Sequence, residues 1–223
     1  IGDRTFAHAQ GYDSFVNRLQ ADFPSERNAL NKYADLLKLS SEQQLKFAEK
    51  SAWQYLCETF QDPLLINVLS GTSLKMELRR ESLPLFTFAH ANSSFIESSW
   101  RLKGDGSQIV NSLVNDIRSH GGEVICNAEV QELVEKDGKL VRAICSNGET
   151  YEGTLFISDI HPAATCQLVK QSDRMKHTYR NRIGSLENTF GSFTASLRIK
   201  PQTLRYFNWN QYIYLEPNVW TFY

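Results

Sequence analysis

The fold class is decided by residues 119–149, which read SHGGEVICNAEVQELVEKDGKLVRAICSNGE. The first four residues are typical of a helix end, because Gly121 can take the positive φ that a helix C-cap favours. Short β-rich runs follow, separated by Asp137-Gly138 and Asn147-Gly148. Such pairs are the strongest short hairpin signals in a sequence. The stretch therefore predicts a helix that leads into a small, largely antiparallel meander.

Helical spacing is clear on the amino-terminal side of this stretch. Ile109, Leu113 and Ile117 recur at four-residue intervals, in a helix that Asp105 or Ser107 can cap. The predicted strands are 123–127, 129–135, 140–146 and about 150–158. A further helix is predicted at about 162–182, and later strands at 191–201, 211–216 and 219–223.

The first hundred residues predict a layer of helices. One helix carries Tyr12, Phe15, Val16 and Leu19 and ends at Pro24, and Ser25 can cap the next. Ser41 and Gln44 form a capping-box pattern for a third. That helix is predicted to turn Leu45, Ala48, Ala52, Tyr55, Leu56 and Phe60 inward, and helices are also predicted at 63–70 and 84–98.

These elements predict an α+β fold, with a helical layer and a mixed, largely antiparallel sheet. We divide the chain into a mainly helical segment at 1–103, a helix with strands at 104–168, and a final helix with strands at 169–223. The chain opens without an initiator Met and stops inside a strand-like run. We therefore expect it to be a piece of a longer polypeptide.

Composition excludes several classes of protein. The 223 residues are 41% hydrophobic and 22% charged with a net charge of -1, whereas a nucleic-acid binder normally carries a basic excess. No apolar run approaches the roughly 20 residues of a membrane helix. The four cysteines, Cys57, Cys126, Cys145 and Cys166, lack close spacing. They predict buried free thiols in a reducing cytoplasm, with a Cys126–Cys145 approach as the alternative.

Few residues predict chemistry by themselves. Gly104 and Gly106 begin a G-x-G-x-x-G pattern, but Ile109 stands where its third glycine belongs, so a flexible helix entry is favoured. The histidines share no metal-like spacing, and no metal is expected; they are His8, His90, His120, His161 and His177. The sequence contains no G-x-S-x-G elbow, so a hydrolase of that type is not indicated.

Two further stretches each carry two interpretations. Lys170, Arg174, Lys176, Arg180 and Arg182 predict a solvated helix face, or a basic surface in peripheral contact with anionic lipid. Phe86, Phe88 and Phe95 predict core packing, or the lining of a pocket for a long apolar substrate between the helical layer and the last strands.

One long segment resembles a known family. Residues 100–165 resemble the phytoene desaturase, carotenoid isomerase and retinol saturase group of FAD-dependent oxidoreductases. A glycine-containing turn enters a helix that ends at Gly-Gly, and a V-x-x-I/L motif follows at Val130 and Leu133. An N-G-E turn at 147–149 and an I-S-x-x-x-P motif at 157–162 complete the match. Residues 11–33, 193–201 and 210–217 are similar to flanking parts of the same group.

The resemblance implies a role in a flavin enzyme. It identifies the chain as a central fragment, without the amino-terminal G-x-G-x-x-G domain that would be its partner and hold most of the FAD. It implies that the backbone of Val130 meets the adenine ring, with Glu129 and Ser158 also at the cofactor. The substrate would be a small apolar polyene, and the protein cytoplasmic or membrane-peripheral. Asp105 departs from the Gly-Gly of many members, which leaves desaturation, saturation and isomerisation open.

Two other functions compete with this one. An amine oxidase relative shares the fold and the V-x-x-I/L segment, and its flavin would be flanked by aromatic residues that Tyr212, Tyr214 or Trp220 would imitate. A complete, non-enzymatic module that binds an apolar ligand or partner is the alternative from another class. No residue is identified as a catalytic acid or base.

Overall fold

The computed structural model describes residues 1–73, 76–189 and 191–220. The chain forms two compact units, one of Ile1–Arg101 with Phe190–Tyr223 and one of Leu102–Thr189. The first unit contains helices, and the second contains helices with an antiparallel sheet. The predicted α+β class is confirmed.

The first unit is built from six helices within its described residues. They are α1 (Tyr12–Asp22), α2 (Arg27–Leu37), α3 (Ser41–Gln44), α4 (Ala52–Thr59), α5 (Pro63–Ser70) and α6 (Leu85–Glu97). Single 3-10 turns occupy Pro24–Glu26 and Leu45–Phe47. The predicted inward face of α1 is confirmed at Phe15, Val16 and Leu19, which are buried, while Tyr12 is half-buried.

The start of α2 differs from the prediction. The Ser25 side chain does not cap it, because the polar residue that turns inward is Glu26, which is only 5% exposed. Oε1 of Glu26 accepts hydrogen bonds from the backbone N–H groups of Gln61 and Asp62, both at 2.7 Å. Backbone donors before α5 satisfy this buried carboxylate, as burial of a charged group requires.

The third predicted helix is displaced and interrupted. Its capping box is formed by Ser40 and Gln43, one residue earlier than predicted. Gln44 is buried and donates hydrogen bonds to the Leu36 and Leu37 carbonyls, so the following 3-10 turn leaves Leu45 and Ala48 exposed. The prediction was wrong for those two. The other inward residues are confirmed as buried: Ala52, Tyr55, Leu56 and Phe60.

The second unit contains α7 (Ser107–Ser119), β1 (Val130–Lys136), β2 (Lys139–Cys145), β3 (Thr150–Glu152), α8 (Pro162–Leu168) and α9 (His177–Gly184). The strands pair antiparallel in the order β1-β2-β3. Asp137 and Gly138 have φ values of 52° and 72°, as a two-residue hairpin turn of the favoured twist requires. The predicted turn is confirmed. Leu133, Ala143 and Val169 form a small buried core.

Several predicted strands were wrong. Residues 123–127, 191–201 and 211–216 are extended or bent without a strand ladder, and the strand predicted to 158 ends at Glu152. An apolar run becomes a strand only where a neighbour supplies successive hydrogen bonds. One such bond is present, from Gly2 N–H to the Tyr214 carbonyl at 3.0 Å. Of the strand predicted at 219–223, Val219 and Trp220 form a turn and residues 221–223 lie outside the described part.

The helix predicted at 162–182 is two helices, α8 and α9. Ser172 lies in the break between them, and its hydroxyl oxygen accepts hydrogen bonds from the Arg174 and Met175 backbone N–H groups. A serine that bonds nearby backbone in this way competes with helix formation.

The cysteines are all free. Cys145 and Cys166 are buried as predicted, but Cys57 and Cys126 are exposed, so the expectation of burial was wrong for those two. Within the described residues, no helix is both long and apolar enough to cross a membrane.

Candidate functional site

Val130 begins β1, which is an edge strand of the described sheet. It lies opposite Cys145 of β2. The Cys145 N–H donates to the Glu149 carbonyl, and the Cys145 carbonyl accepts from the Gly148 N–H, in the turn to β3. Beside this pair, the Ser146 N–H donates to the Glu129 carbonyl at 2.8 Å, and a register shift follows between Val130 and Glu132. An edge strand presents backbone donors and acceptors on its unpaired side.

The other two predicted cofactor residues are placed differently. The Glu129 side chain is exposed, and its carbonyl is occupied by Ser146. Ser158 is exposed after β3, and its hydroxyl shares a 2.7 Å hydrogen bond with the Thr165 hydroxyl of α8. All three predicted residues lie in the described part of the chain, and no hydrogen bond there joins Ser158 to Glu129 or Val130.

The apolar face of α7 is uncovered. Ile109, Val110, Leu113 and Ile117 are 53%, 58%, 59% and 43% exposed. The predicted helical spacing is present, but the side chains it aligns face outward. Four neighbouring apolar side chains on one helix face are the mark of a surface that another element covers.

The entry to α7 does not offer a phosphate site. Oδ1 of Asp105 accepts a hydrogen bond from the Ser107 backbone N–H at 2.8 Å, so a carboxylate already occupies the helix start. Hydrogen bonds from Ser107 lower the pKa of Asp105, which keeps it charged. A pyrophosphate would meet a negative charge there, whereas helix starts that bind phosphate present free N–H groups. The start of α7 therefore does not fit the phosphate side of a dinucleotide.

The three phenylalanines predicted to line a substrate pocket do not share one. Phe88 is fully buried in the core of the first unit, with its ring 6.1 Å from that of Trp220. Phe86 is half-buried and stacks on His90, and Phe95 is 36% exposed. Phe86 lies about 200° around α6 from Phe88, since a helix turns about 100° per residue. Phe95 shares the face of Phe88 but lies two turns further on, near the exposed end of the helix, so sequence proximity did not bring these rings together.

A cavity of about 600 Å³ lies elsewhere in the first unit. One wall is the segment 1–8, the opposite wall is the segment 209–214, and Val68, Gly71 and Thr72 at the end of α5 form the third side. The walls are joined by the Gly2–Tyr214 backbone bond, and the Tyr214 hydroxyl donates to the Gly71 carbonyl at 2.8 Å. We call this space the N-terminal cavity.

Burial shifts the pKa values of two side chains of the N-terminal cavity. It lowers the pKa of His8, and a backbone hydrogen bond with Val68 opposes this shift only in part. Burial raises the pKa of Tyr214 to about 12. The Arg4 guanidinium is a charged group of the lining, with its Cζ 4.8 Å from the centre of the Phe6 ring.

The sequence offered a signal for this cavity that the predicted pocket did not use. Phe6 and His8 alternate in the first segment, and Tyr212 and Tyr214 alternate in the last. Period-two spacing places such side chains on one face of extended chain. Which face they share, and with which helix, depends on contacts between segments about two hundred positions apart, which no local pattern reports.

The basic residues after α8 are largely engaged within the second unit. Lys170 forms a 2.7 Å ion pair with Glu132 of β1. The Arg180 guanidinium donates to the Cys166 and Val169 carbonyls, and that of Arg182 lies 5.7 Å from the Tyr179 ring centre. These contacts favour a structural role for the run over a free basic surface.

Comparisons with known protein families, with curated proteins and with solved structures found no significant match for this chain.

Proposed function

We propose that this chain is part of an FAD-dependent oxidoreductase that acts on carbon–carbon bonds of an apolar, polyene-type substrate. In this proposal the second unit provides the adenine-side wall of the flavin site. The phosphate-binding part is provided by a dinucleotide-binding domain of the same polypeptide. The flavin, once bound, supplies the hydride chemistry. The proposal starts from the resemblance of residues 100–165, and the observation that carries it is the position of Val130 at the start of the edge strand β1.

The Val130 edge suits an adenine ring on chemical grounds. The edge of adenine carries a donor beside an acceptor, which a strand's N–H and carbonyl can pair with. The Val130 side chain meanwhile packs against the small core of Leu133, Ala143 and Val169. Backbone recognition of this kind makes the position insensitive to most side chains but sensitive to loss of the N–H.

The exposed apolar face of α7 is a second observation that favours the presence of a neighbouring domain. Its four apolar side chains would be covered when a dinucleotide-binding domain packs against them, which stabilises by about 25 cal/mol per Å² of apolar surface removed from water. The carboxylate of Asp105 at the start of this helix is consistent with that arrangement, because the phosphates are then bound at a different helix.

The test uses the full-length polypeptide that contains this chain and compares Val130→Pro with Val130→Ile. Proline is tolerated on a strand edge where its missing N–H faces away from the ladder. We therefore expect Val130→Pro to fold but to purify with much less FAD. Val130→Ile keeps the N–H and should retain FAD. Flavin is measured by visible absorbance per protein, and folding by circular dichroism.

A third variant controls for position. Val134→Ile in the same strand changes a side chain in the same way and should leave FAD unchanged. If the Val130→Pro and Val130→Ile proteins both fold and contain the same amount of FAD per protein, the proposed adenine contact is contradicted. Absence of any flavin from the wild-type polypeptide would remove the proposed function itself.

A further inference from the structure

The N-terminal cavity has the size and construction of a small-molecule site. Its volume of about 600 Å³ lies within the roughly 300–1,000 Å³ of ligand pockets. Its three sides are joined by the Gly2–Tyr214 and Tyr214–Gly71 hydrogen bonds. A space held open between fixed walls is available to a ligand without rearrangement of the chain.

The lining combines flat apolar rings with amide groups. Phe6 and Tyr212 are half-buried and Tyr214 is buried, while Trp209 is 63% exposed beside Asn210 and Gln211. Aromatic rings favour contact with other flat, conjugated groups through offset or edge-on stacking. The lining therefore suits a ligand with an aromatic or conjugated portion.

The Arg4 guanidinium brings a positive charge to the lining, next to the terminal ammonium of Ile1, which donates to the Arg4 carbonyl at 3.0 Å. No carboxylate of the described residues lies within 4.0 Å of the Arg4 guanidinium, whose Cζ is instead 4.8 Å from the centre of the Phe6 ring. Guanidinium groups bind carboxylates and other oxyanions through paired, charge-assisted hydrogen bonds. His8 adds no further charge near neutral pH, because burial lowers its pKa.

We propose that the N-terminal cavity binds a small amphipathic molecule that has a flat conjugated portion and a single anionic group. The conjugated portion contacts the aromatic part of the lining, and the anionic group meets the guanidinium of Arg4. This inference goes beyond the flavin function. It concerns the first unit alone and stands or falls without FAD, so the two proposals can fail separately.

The test measures binding of two fluorescent probes to the 223-residue chain. Anilinonaphthalene sulfonate carries a flat conjugated system and one anionic group. Phenylnaphthylamine has the same arylamine system without the charge. We expect saturable binding of both, with one site per chain. Arg4→Gln should weaken binding of the sulfonate about fivefold, because it removes a partly exposed charge-assisted contact. It should leave the neutral probe within about twofold.

Two further variants locate the site. Ala7 lines the cavity, and Ala7→Trp fills it, so we expect both probes to lose at least about tenfold in affinity. Arg18→Gln removes an exposed arginine of α1 outside the lining and should change neither probe. Circular dichroism melting identifies any variant that fails to fold. If Ala7→Trp does not fold, Arg4→Gln still tests the proposal, because Arg4 has an exposed side chain.

The proposal predicts a specific combination of results. Preferential loss of the sulfonate in Arg4→Gln, with Arg18→Gln unchanged, supports it. Probe binding that survives Ala7→Trp would place the dye elsewhere, such as the exposed face of α7, and overturns it. Equal effects of Arg4→Gln and Arg18→Gln also overturn it, because the charge response would then be general.

Discussion

The indole N–H of Trp220 donates a 2.9 Å hydrogen bond to the hydroxyl oxygen of Ser70, although the two residues are 150 positions apart. Trp220 is 2% exposed, and its ring lies 5.1 Å from the ring of Trp53. The Ser70 hydroxyl in turn donates to the Ile66 carbonyl at 2.8 Å. The end of the described chain is thereby fixed in the core of the first unit.

Trp220→Ala should therefore destabilise the first unit strongly. We expect a loss of about 3–5 kcal/mol in the free energy of unfolding, since a large buried ring is replaced by a cavity. Ser70→Ala should cost about 1–3 kcal/mol, because the buried indole N–H loses its acceptor. Urea unfolding measures both. Trp100, which is 88% exposed, supplies the control. Trp100→Ala should change stability by less than about 0.5 kcal/mol, and a cost equal to that of Trp220→Ala would contradict the burial of Trp220.

Glu26 should tolerate an amide better than an apolar side chain. Its Oε1 accepts two backbone N–H groups ahead of α5, and Gln offers the same acceptor atom. Glu26→Leu leaves both donors without a partner and should cost about 2–6 kcal/mol, at about 1–3 kcal/mol for each. Glu26→Gln should cost clearly less. Glu49→Leu, at an exposed position, is the matched control. Chemical unfolding measures the stability of all three variants. Equal losses of stability for Glu26→Gln and Glu26→Leu would contradict the prediction.

Acidification should destabilise the first unit through His8. Burial lowers its folded-state pKa below the ordinary value of 6.5, so the unfolded chain binds the proton more readily. The stability contributed by neutral His8 is fully present above pH 6.5. It is lost as the pH falls from there through the lowered pKa. We expect the melting temperature of the wild-type chain to fall more steeply below pH 6.5 than that of His8→Phe.

The same melting series includes His177→Gln, which removes an exposed histidine of α9. This variant should follow the wild-type pH profile. A His8→Phe profile parallel to that of the wild type would show that His8 is protonated equally well in the folded and unfolded states.

In the 223-residue chain, the same substitution should cost much more stability at Leu133 than at Leu113. Leu113 is 59% exposed on α7, whereas Leu133 is 9% exposed in the core of the second unit. Leu133→Ser should cost about 2–5 kcal/mol, and Leu113→Ser less than about 0.5 kcal/mol. In the full-length polypeptide, however, Leu113→Ser should become destabilising if another domain covers α7. Thermal unfolding of the chain alone and of the full-length protein separates these effects.

The 223-residue chain by itself should purify without FAD. An adenine contact at Val130 provides only a couple of hydrogen bonds of about 0.5–1.5 kcal/mol each. Binding must first offset several kcal/mol of lost translational and rotational freedom. The Asp105 carboxylate at the start of α7 excludes a pyrophosphate clamp there. Visible absorbance after gel filtration measures the flavin, and a yellow, stoichiometric complex would contradict our placement of the phosphate site.

Local patterns predicted the elements whose contacts are local. The turn at Asp137-Gly138 was predictable because both residues must adopt positive φ, and the apolar stripe of α1 because it faces its neighbours in sequence. The burial of Gln44 could not be predicted in this way, because its hydrogen-bond partners are the carbonyls at the end of another helix, α2.

The extended segments were over-predicted for a related reason. Residues 191–201 have strand-like composition, but a strand needs a partner with matching register, and composition does not supply one. At the candidate sites, the motif directed attention to Val130, while the sheet topology placed this residue at the start of an edge strand. The N-terminal cavity was missed because its walls come from opposite ends of the sequence.

The discontinuity of the first unit has a consequence for the order in which the protein folds. Its helices come from the start of the chain, but Trp220 and Tyr214 are translated only after the whole of residues 102–189. A ribosome therefore releases the second unit, whose contacts are nearer in sequence, before the first can complete its core. Closing so long a loop adds an entropic barrier and slows folding. Until Trp220 docks, the nascent helical layer exposes the apolar surface around Phe88 and Trp53, and this interval is when the polypeptide is most exposed to aggregation and to chaperone capture.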